Sequence, residues 1–161
     1  MKLVFKNADV SDAEILVGIY NSAFYEDYLR YGHCQAYGRS VENMEQSVRE
    51  YPKTIAYEQD KAVGVISYKD EGQGKYYIGC LAVLKEEQGR GIGTALMNYF
   101  MEEHPDWNEI TLVTPEDKEQ NIRFYTKRFG FEIVGEEVDE AVTVLLFRLN
   151  RRHDKKLNRE M

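Results

Sequence analysis

Residues 81–94 read Leu-Ala-Val-Leu-Lys-Glu-Glu-Gln-Gly-Arg-Gly-Ile-Gly-Thr, and no other stretch constrains the fold as tightly. An apolar strand-like run meets a polar turn, then three alternating glycines. A segment follows in which Ile92, Leu96, Tyr99 and Phe100 recur at helical spacing. A strand-to-helix turn of this kind leaves the first helical N–H groups without intrahelical partners. Those donors and the positive end of the helix dipole together favour an anion. Glycine at 89, 91 and 93 lets a bulky anion reach the backbone, because no Cβ intervenes. Arg90 adds positive charge at the rim. The spacing is neither the dinucleotide-binding G-x-G-x-x-G nor a Walker motif, since no Gly-Lys-Ser/Thr follows. Taken alone, three glycines in a turn fit a purely structural turn as well.

The rest of the chain surrounds this turn with alternating periods. Leu3–Phe5 is a short strand. Ser11-Asp12-Ala13-Glu14 has the capping-box pattern and opens a helix with Ile15, Leu16, Ile19, Tyr20 and Ala23 on one face. A second helix is expected from Val41 to Tyr51, with Ser40 as cap and Pro52 as stop. Thr54–Glu58 and Ala62–Tyr68 form a hairpin around Gln59-Asp60-Lys61, and Tyr76–Val83 follows the Gly72/Gly74 turn. After the helix 91–104 come a strand (Glu109–Thr114), a helix (Asn121–Phe129) ended by Gly130, and two strands (Phe131–Val138, Val142–Leu149). The order is β, α, α, β, β, β, α, β, α, β, β, which predicts a mixed α/β sheet with helices on both faces.

Composition removes several classes of function. The two cysteines, Cys34 and Cys80, make no disulfide framework, and no Cys/His cluster has zinc spacing. The expectation is a reduced, cytoplasmic protein without a metal. The longest strongly apolar run, Ile78–Leu84, is far short of the ~20 residues a membrane span needs, so no membrane role is expected. A net charge of −7 argues against a nucleic-acid partner, which needs basic surface. The charge is uneven: residues 148–161 carry six Lys/Arg and two acids, a balance of +4, against −11 elsewhere. One domain over 1–149 is expected, with 150–161 as a basic tail that is either a solvated terminus or a docking arm.

The glycine turn and this order of elements resemble the GNAT superfamily of acyl-CoA-dependent N-acyltransferases. The family's signature, Gln or Arg, two residues, Gly, one residue, Gly or Ala, is matched by Gln88-Gly89-Arg90-Gly91-Ile92-Gly93. A second family motif is matched by Asn121-Ile122-Arg123-Phe124-Tyr125, running into Phe129-Gly130-Phe131. The resemblance spans Leu3 to Leu149. It implies a mostly antiparallel central sheet that splays between Tyr76–Val83 and Glu109–Thr114, where Gly79 marks either a close approach or a packing position.

The resemblance also implies residue roles. The backbone amides of Gln88, Gly89, Arg90, Gly91, Ile92, Gly93 and Thr94 would hold the pyrophosphate of acetyl-CoA. The pantetheine arm would lie along Leu81, Ala82 and Val83, with a backbone N–H near Val83 facing the oxyanion. Asn121 would contact the arm, its other reading being a helix cap. Tyr125 would be the general acid, since a phenol can protonate a thiolate of similar basicity. Its other reading is a core aromatic on the Ile122–Tyr125–Phe129 face. Lys127 and Arg128 would either meet the CoA phosphates or remain solvated. The chain departs from the family where some members place a carboxylate on the strand before the signature; here that position is Tyr77, and no acid lies between Lys75 and Lys85. Ordered water, or Glu26, Asp27 or His33, would then take the proton.

Segment 24–38 holds five aromatics in fifteen residues. It joins the first two helices, the region that in this family helps form the acceptor pocket. Tyr25, Glu26, Tyr28 and Tyr31, with Tyr77, are the candidate acceptor contacts, suited to an amine through ion pairing and cation–π contact. An extra helix packed on the core is the alternative. The resulting expectation is transfer of an acetyl group from acetyl-CoA to a primary amine of a small molecule. The alternatives are acetylation of a protein N-terminus or lysine, and an inert acyl-CoA-binding module. Dimers are common in the family, so a homodimer is a further expectation.

Overall fold

The computed structural model describes residues 1–151. Its strands are β1 (Val4–Asn7), β2 (Lys53–Glu58), β3 (Lys61–Gly72), β4 (Lys75–Val83), β5 (Glu109–Pro115), β6 (Glu132–Asp139) and β7 (Val142–Asn150). The helices are α1 (Ala13–Tyr31), α2 (Val41–Glu50), α3 (Ile92–Glu103) and α4 (Glu119–Arg123). The strands run in the order β1-β2-β3-β4-β5-β7-β6. The sheet is mostly antiparallel, with β4 and β5 parallel. That parallel register runs over Lys75↔Glu109, Tyr76↔Ile110 and Tyr77↔Thr111. The expected GNAT-like mixed sheet is therefore present. The chain divides into two compact units, Met1–Lys69 with Gly79–His104, and Asp70–Ile78 with the chain from Pro105 on.

In the first unit, alternation along β2 and β3 sends side chains to opposite faces. Ile55 and Val65 join Leu16, Ile19 and Tyr20 of α1 and Met44 of α2 in one buried cluster, which also takes Ala82 of β4. Gly64 faces the other way, against α3. A Cβ there would stand 3.0 Å from the Ala82 carbonyl oxygen and 3.1 Å from Leu96 Cδ1, so glycine sets how closely α3 approaches the sheet. Phe5 of β1 stacks on Tyr99 of α3 at 4.3 Å. The β2–β3 hairpin is tighter than expected: Gln59 and Asp60 take positive φ and Glu58 pairs with Lys61, so Lys61 belongs to the strand.

In the second unit, β7 pairs with β5 and β6 on its two sides. Ile110, Leu112, Phe131 and Phe147 form its interior with Tyr76 and Tyr125. β6 is exposed throughout. Its charges and the irregularity at Ile133/Gly135 are devices that protect an edge strand. Asn150, where the basic tail was expected to begin, is the last residue of β7. Arg151 donates to the Trp107 carbonyl at 3.0 Å and lies over the indole. The remainder of that expected tail lies outside the described residues.

Three local expectations change. The capping box lies at Asp9, not Ser11, and caps the turn Val10–Asp12: Asp9 accepts from the Ser11 amide and its own amide donates to Asp12 Oδ2, while α1 starts after Asp12 with no side-chain cap. A short 3-10 turn therefore precedes α1. α1 itself continues to Tyr31, absorbing the first half of the aromatic segment, and ends at Gly32 with φ +71°. The helix expected over 121–129 starts at Glu119 and changes at Phe124 into a π-helical turn, Phe124–Arg128.

One polar cluster sits in the core of the first unit. Lys53, 4% exposed, donates from Nζ to Tyr20 Oη at 3.1 Å and Ser67 Oγ at 2.9 Å, and lies over the Tyr20 ring. Burial pulls the Lys53 ammonium down to about 8 and pushes the Cys80 thiol up to about 11. Burial also raises Tyr20, which hydrogen-bonds Cys80. The unfolded chain therefore holds a Lys53 proton above pH 8 that the folded chain has lost, so stability rises with pH there. Cys80 and Tyr20 oppose the rise from about pH 9 upward. Urea unfolding is expected to give about 1 kcal/mol more stability at pH 9 than at pH 7. Lys53→Met should remove that rise and be at least as stable as the parent at pH 7.

Candidate functional site

The glycine turn connects β4 to α3. Gly89 (φ +82°) and Gly91 (φ +90°) both adopt left-handed backbone, which costs other L-residues roughly 1–2 kcal/mol. Gly91 is the N-cap of α3 and supplies no side-chain cap. A Cβ at Gly89 would meet nothing within 4 Å, so conformation, not crowding, requires glycine there. Gly93 lies inside α3 at helical φ. The first amides of α3, those of Ile92, Gly93 and Thr94, are thus left open at a positive helix end.

The turn around those amides is tied down. The Leu84 amide donates to the Val63 carbonyl at 2.9 Å, and the Lys85 amide donates to Ser22 Oγ of α1 at 2.9 Å. Gln88 folds back, Nε2 donating to the Val83 carbonyl at 3.1 Å. Ala82 is buried, while Leu81 and Val83 are half-buried.

Arg90 is not a mobile charge at the rim. It grips Glu58 of β2 in a two-pronged pair, Nη1–Oε1 2.8 Å and Nη2–Oε2 2.9 Å, and reaches Glu87 at 3.0 Å. The hydrogen bond from Arg90 holds the Glu58 carboxyl below its ordinary range. Lys61 also pairs with Glu87, at 3.8 Å, so the Arg90 charge is already matched and the donors left open at the turn are backbone amides. Glu58 was not anticipated; it lies thirty-two residues before Arg90 and only the β2–β3 hairpin brings it back.

The candidate acceptor residues separate. Tyr25 and Tyr28 of α1 both meet Tyr37, at 5.8 Å and, stacked, at 4.7 Å. Tyr31 contacts the Arg30 guanidinium. Glu26 points to the turn instead, pairing with Lys85 at 2.9 Å. The aromatic segment therefore forms an open cleft of about 480 Å³ whose wall includes Tyr28, His33, Cys34, Tyr37 and Arg39. Tyr37 is one of the five aromatics that mark the segment, whereas Arg39 lies just beyond it and nothing local in the sequence marks it.

Tyr77, Asn121 and Tyr125 lie in the second unit. Asn121 sits within α4 and donates to Thr114 Oγ1 of β5 at 3.2 Å, so it ties helix to strand and is no cap. Tyr125 is in the π-helical turn and 8% exposed. Its ring packs against Phe131 and Phe147, so it does have the core contacts of the bland reading. Single π turns inside helices are frequent at functional sites. Tyr77 is raised by burial and then by the negative charges of Glu137, Glu71 and Asp139. The strand itself has no acid near this position, but β6 and the end of β3 supply three. Among the described residues no group of three His, Cys, Asp or Glu could hold a metal ion, and no helix is long and apolar enough to cross a membrane.

A mixed sheet in which an apolar strand passes through a glycine turn into an uncapped helix is the arrangement that the resemblance in sequence implies. The chain belongs to the acetyltransferase (GNAT) family, whose model matches residues 16–131. Solved structures share the fold at low identity. One is the PaiA N-acetyltransferase of Thermoplasma acidophilum in complex with coenzyme A, 17% identical, covering 91% of this chain and 98% of that one, with a TM-score of 0.71. The protein yncA of Salmonella typhimurium, solved with its cofactor acetyl-CoA, is 16% identical, covers 92% and 93%, and has a TM-score of 0.72. The ribosomal-protein-alanine N-acetyltransferase of Brucella melitensis is 18% identical, covers 92% and 99%, and has a TM-score of 0.74. No curated protein matches the chain in sequence.

Proposed function

We propose that this protein is an acetyl-CoA-dependent N-acetyltransferase acting on the primary amine of a small molecule by direct transfer. The observation that carries the reading is the α3 N-terminus. Its amides are open and its cap is a left-handed glycine, where a Cβ would meet only the end of the Met1 side chain at 4.0 Å. The chemistry fits a polyanion held by backbone donors, and two structural neighbours were solved with coenzyme A and with acetyl-CoA. In this reading Ile92, Gly93 and Thr94 bind the phosphates through their amides, and the Leu81–Val83 backbone aligns the acyl arm.

The protein's side chains manage protons. Tyr125 gives its hydroxyl proton to the departing thiolate, with Asn121 steadying the adjoining helix against β5. Glu137, Glu71 and Asp139 draw an ammonium toward Tyr77 and hold it charged, and one of these carboxylates, or water, takes its proton as the amine attacks. This takes the place of the strand carboxylate that the chain lacks.

Gly91→Glu should abolish the protection acetyl-CoA gives against thermal unfolding; the readout is the ligand-induced shift, so the variant's own lower stability does not confuse it. Retained protection rejects the site. Tyr125→Phe should lower kcat by roughly 10²-fold while shifting the acetyl-CoA Kd far less, as measured by thiol release and calorimetry. Glu58→Gln removes one carboxylate from the turn and should tighten acetyl-CoA binding about threefold.

A further inference from the structure

We propose that the acceptor carries a carboxylate as well as its amine, and that the cleft after α1 seats that carboxylate on Arg39. The inference rests on the N-acetyltransferase reading and names its acceptor class. Three observations within the first unit lead to it.

First, the walls of the cleft carry no carboxylate. Tyr28, Tyr37, His33, Arg39, Ser40 and Asn43 line it, although the chain contains 28 acidic residues against 21 basic ones. Glu26, the acid expected there, turns away to Lys85. A cleft meant for the cationic end of an amine would present acids.

Second, Arg39 has unused binding capacity. Among the described residues its one hydrogen bond runs from Nε to Asn43 Oδ1 at 2.6 Å, and no ion pair joins it to a carboxylate. That bond fixes the guanidinium and leaves its two terminal nitrogens as a fork. A planar carboxylate fits such a fork with two parallel hydrogen bonds.

Third, a second cation lies within the field of the first. Lys53 is buried with Tyr20, Ser67 and Cys80 around it, from α1, β3 and β4, and all of those groups are neutral near pH 7. The Arg39 charge acts on Lys53 and disfavours its ammonium. Two neighbouring cations with no counter-ion are an unfavourable arrangement that an arriving anion relieves. The stacked Tyr28–Tyr37 pair supplies apolar surface for the body of such a ligand. An amino acid with an apolar or aromatic side chain has all the required parts.

Matched pairs test the proposal: phenylalanine against phenethylamine, and tyrosine against tyramine, assayed by CoA thiol release and by calorimetry. A charge-assisted bidentate contact in a half-open cleft corresponds to roughly ten- to a hundredfold. Each amino acid should therefore bind at least about tenfold more tightly than its decarboxylated partner. Arg39→Gln should bring that ratio close to one, and Arg39→Lys should restore part of it. Equal affinities within each pair, or an unchanged ratio in Arg39→Gln, overturn the proposal.

Calorimetry separates this failure from failure of the acetyltransferase reading. Carboxylate-dependent binding without any thiol release would leave the Arg39 site standing and reject the transfer reaction. Binding at pH 8 should also take up a fraction of a proton, because an anion nearby favours the Lys53 ammonium. That uptake, read from the buffer dependence of the binding heat, should vanish in Lys53→Met. Binding without uptake in the parent removes Lys53 from the anion's field and overturns the part assigned to it.

Discussion

The joint between β4 and α3 is the constraint on which the rest of the site depends. It must be rigid and yet leave backbone donors unspent. Those demands conflict, because the usual way to fix a helix start is to cap it, and a side-chain cap consumes the donors. The chain resolves the conflict by anchoring the turn everywhere except at the amides. Leu84 bonds to β3, Lys85 to α1, and Gln88 to the last carbonyl of β4. Left-handed glycines at 89 and 91 then turn the backbone without placing a Cβ over the helix end.

Charge reinforces the same division. An acidic protein that binds a polyanion cannot rely on its overall field, which repels. The turn's arginine is committed to Glu58 and Glu87, so it offers little charge of its own to an anion. Oriented amides escape this problem, since their dipoles are fixed and fall off within a turn. The Arg90 fork has a further structural effect. It connects the turn to β2, adding a side-chain tie to the backbone ones. Exposed as it is, this pair serves geometry more than stability.

Much of this was legible in the sequence because it depends on local chemistry. Gln88–Thr94 reads as a strand-to-helix turn from the glycine pattern alone, and the order of periods predicts the mixed sheet. The capping box falls two residues earlier than the pattern predicts, on the 3-10 turn before α1, because Asp9 and Ser11 are both good caps and only the backbone decides between them. The π-helical turn at Phe124 leaves no periodic signature over five residues. Glu26 looked like an acceptor contact by position in an aromatic segment, but Lys85, fifty-nine residues on, claims it. Glu58 and the carboxylates near Tyr77 matter through pairings between distant segments, and no window of sequence contains both partners.

Lys53 shows most clearly what patterns cannot reveal. In sequence it is a polar residue after Pro52 at the start of a strand, a place where lysine is ordinarily solvated. Strand pairing puts it opposite Ser67, and α1 lays Tyr20 across it. The fold then carries a buried amine whose neighbours are hydroxyls and a thiol, with no carboxylate to offset desolvation. An apolar side chain of the same length would fill that space at lower free energy. A residue that weakens the core it occupies is explained more readily by what it does to a ligand than by what it does for the fold. Arg39, in the wall of the cleft, acts on Lys53 with the same unbalanced sign, and that coincidence of two uncompensated cations points the cleft toward an anion.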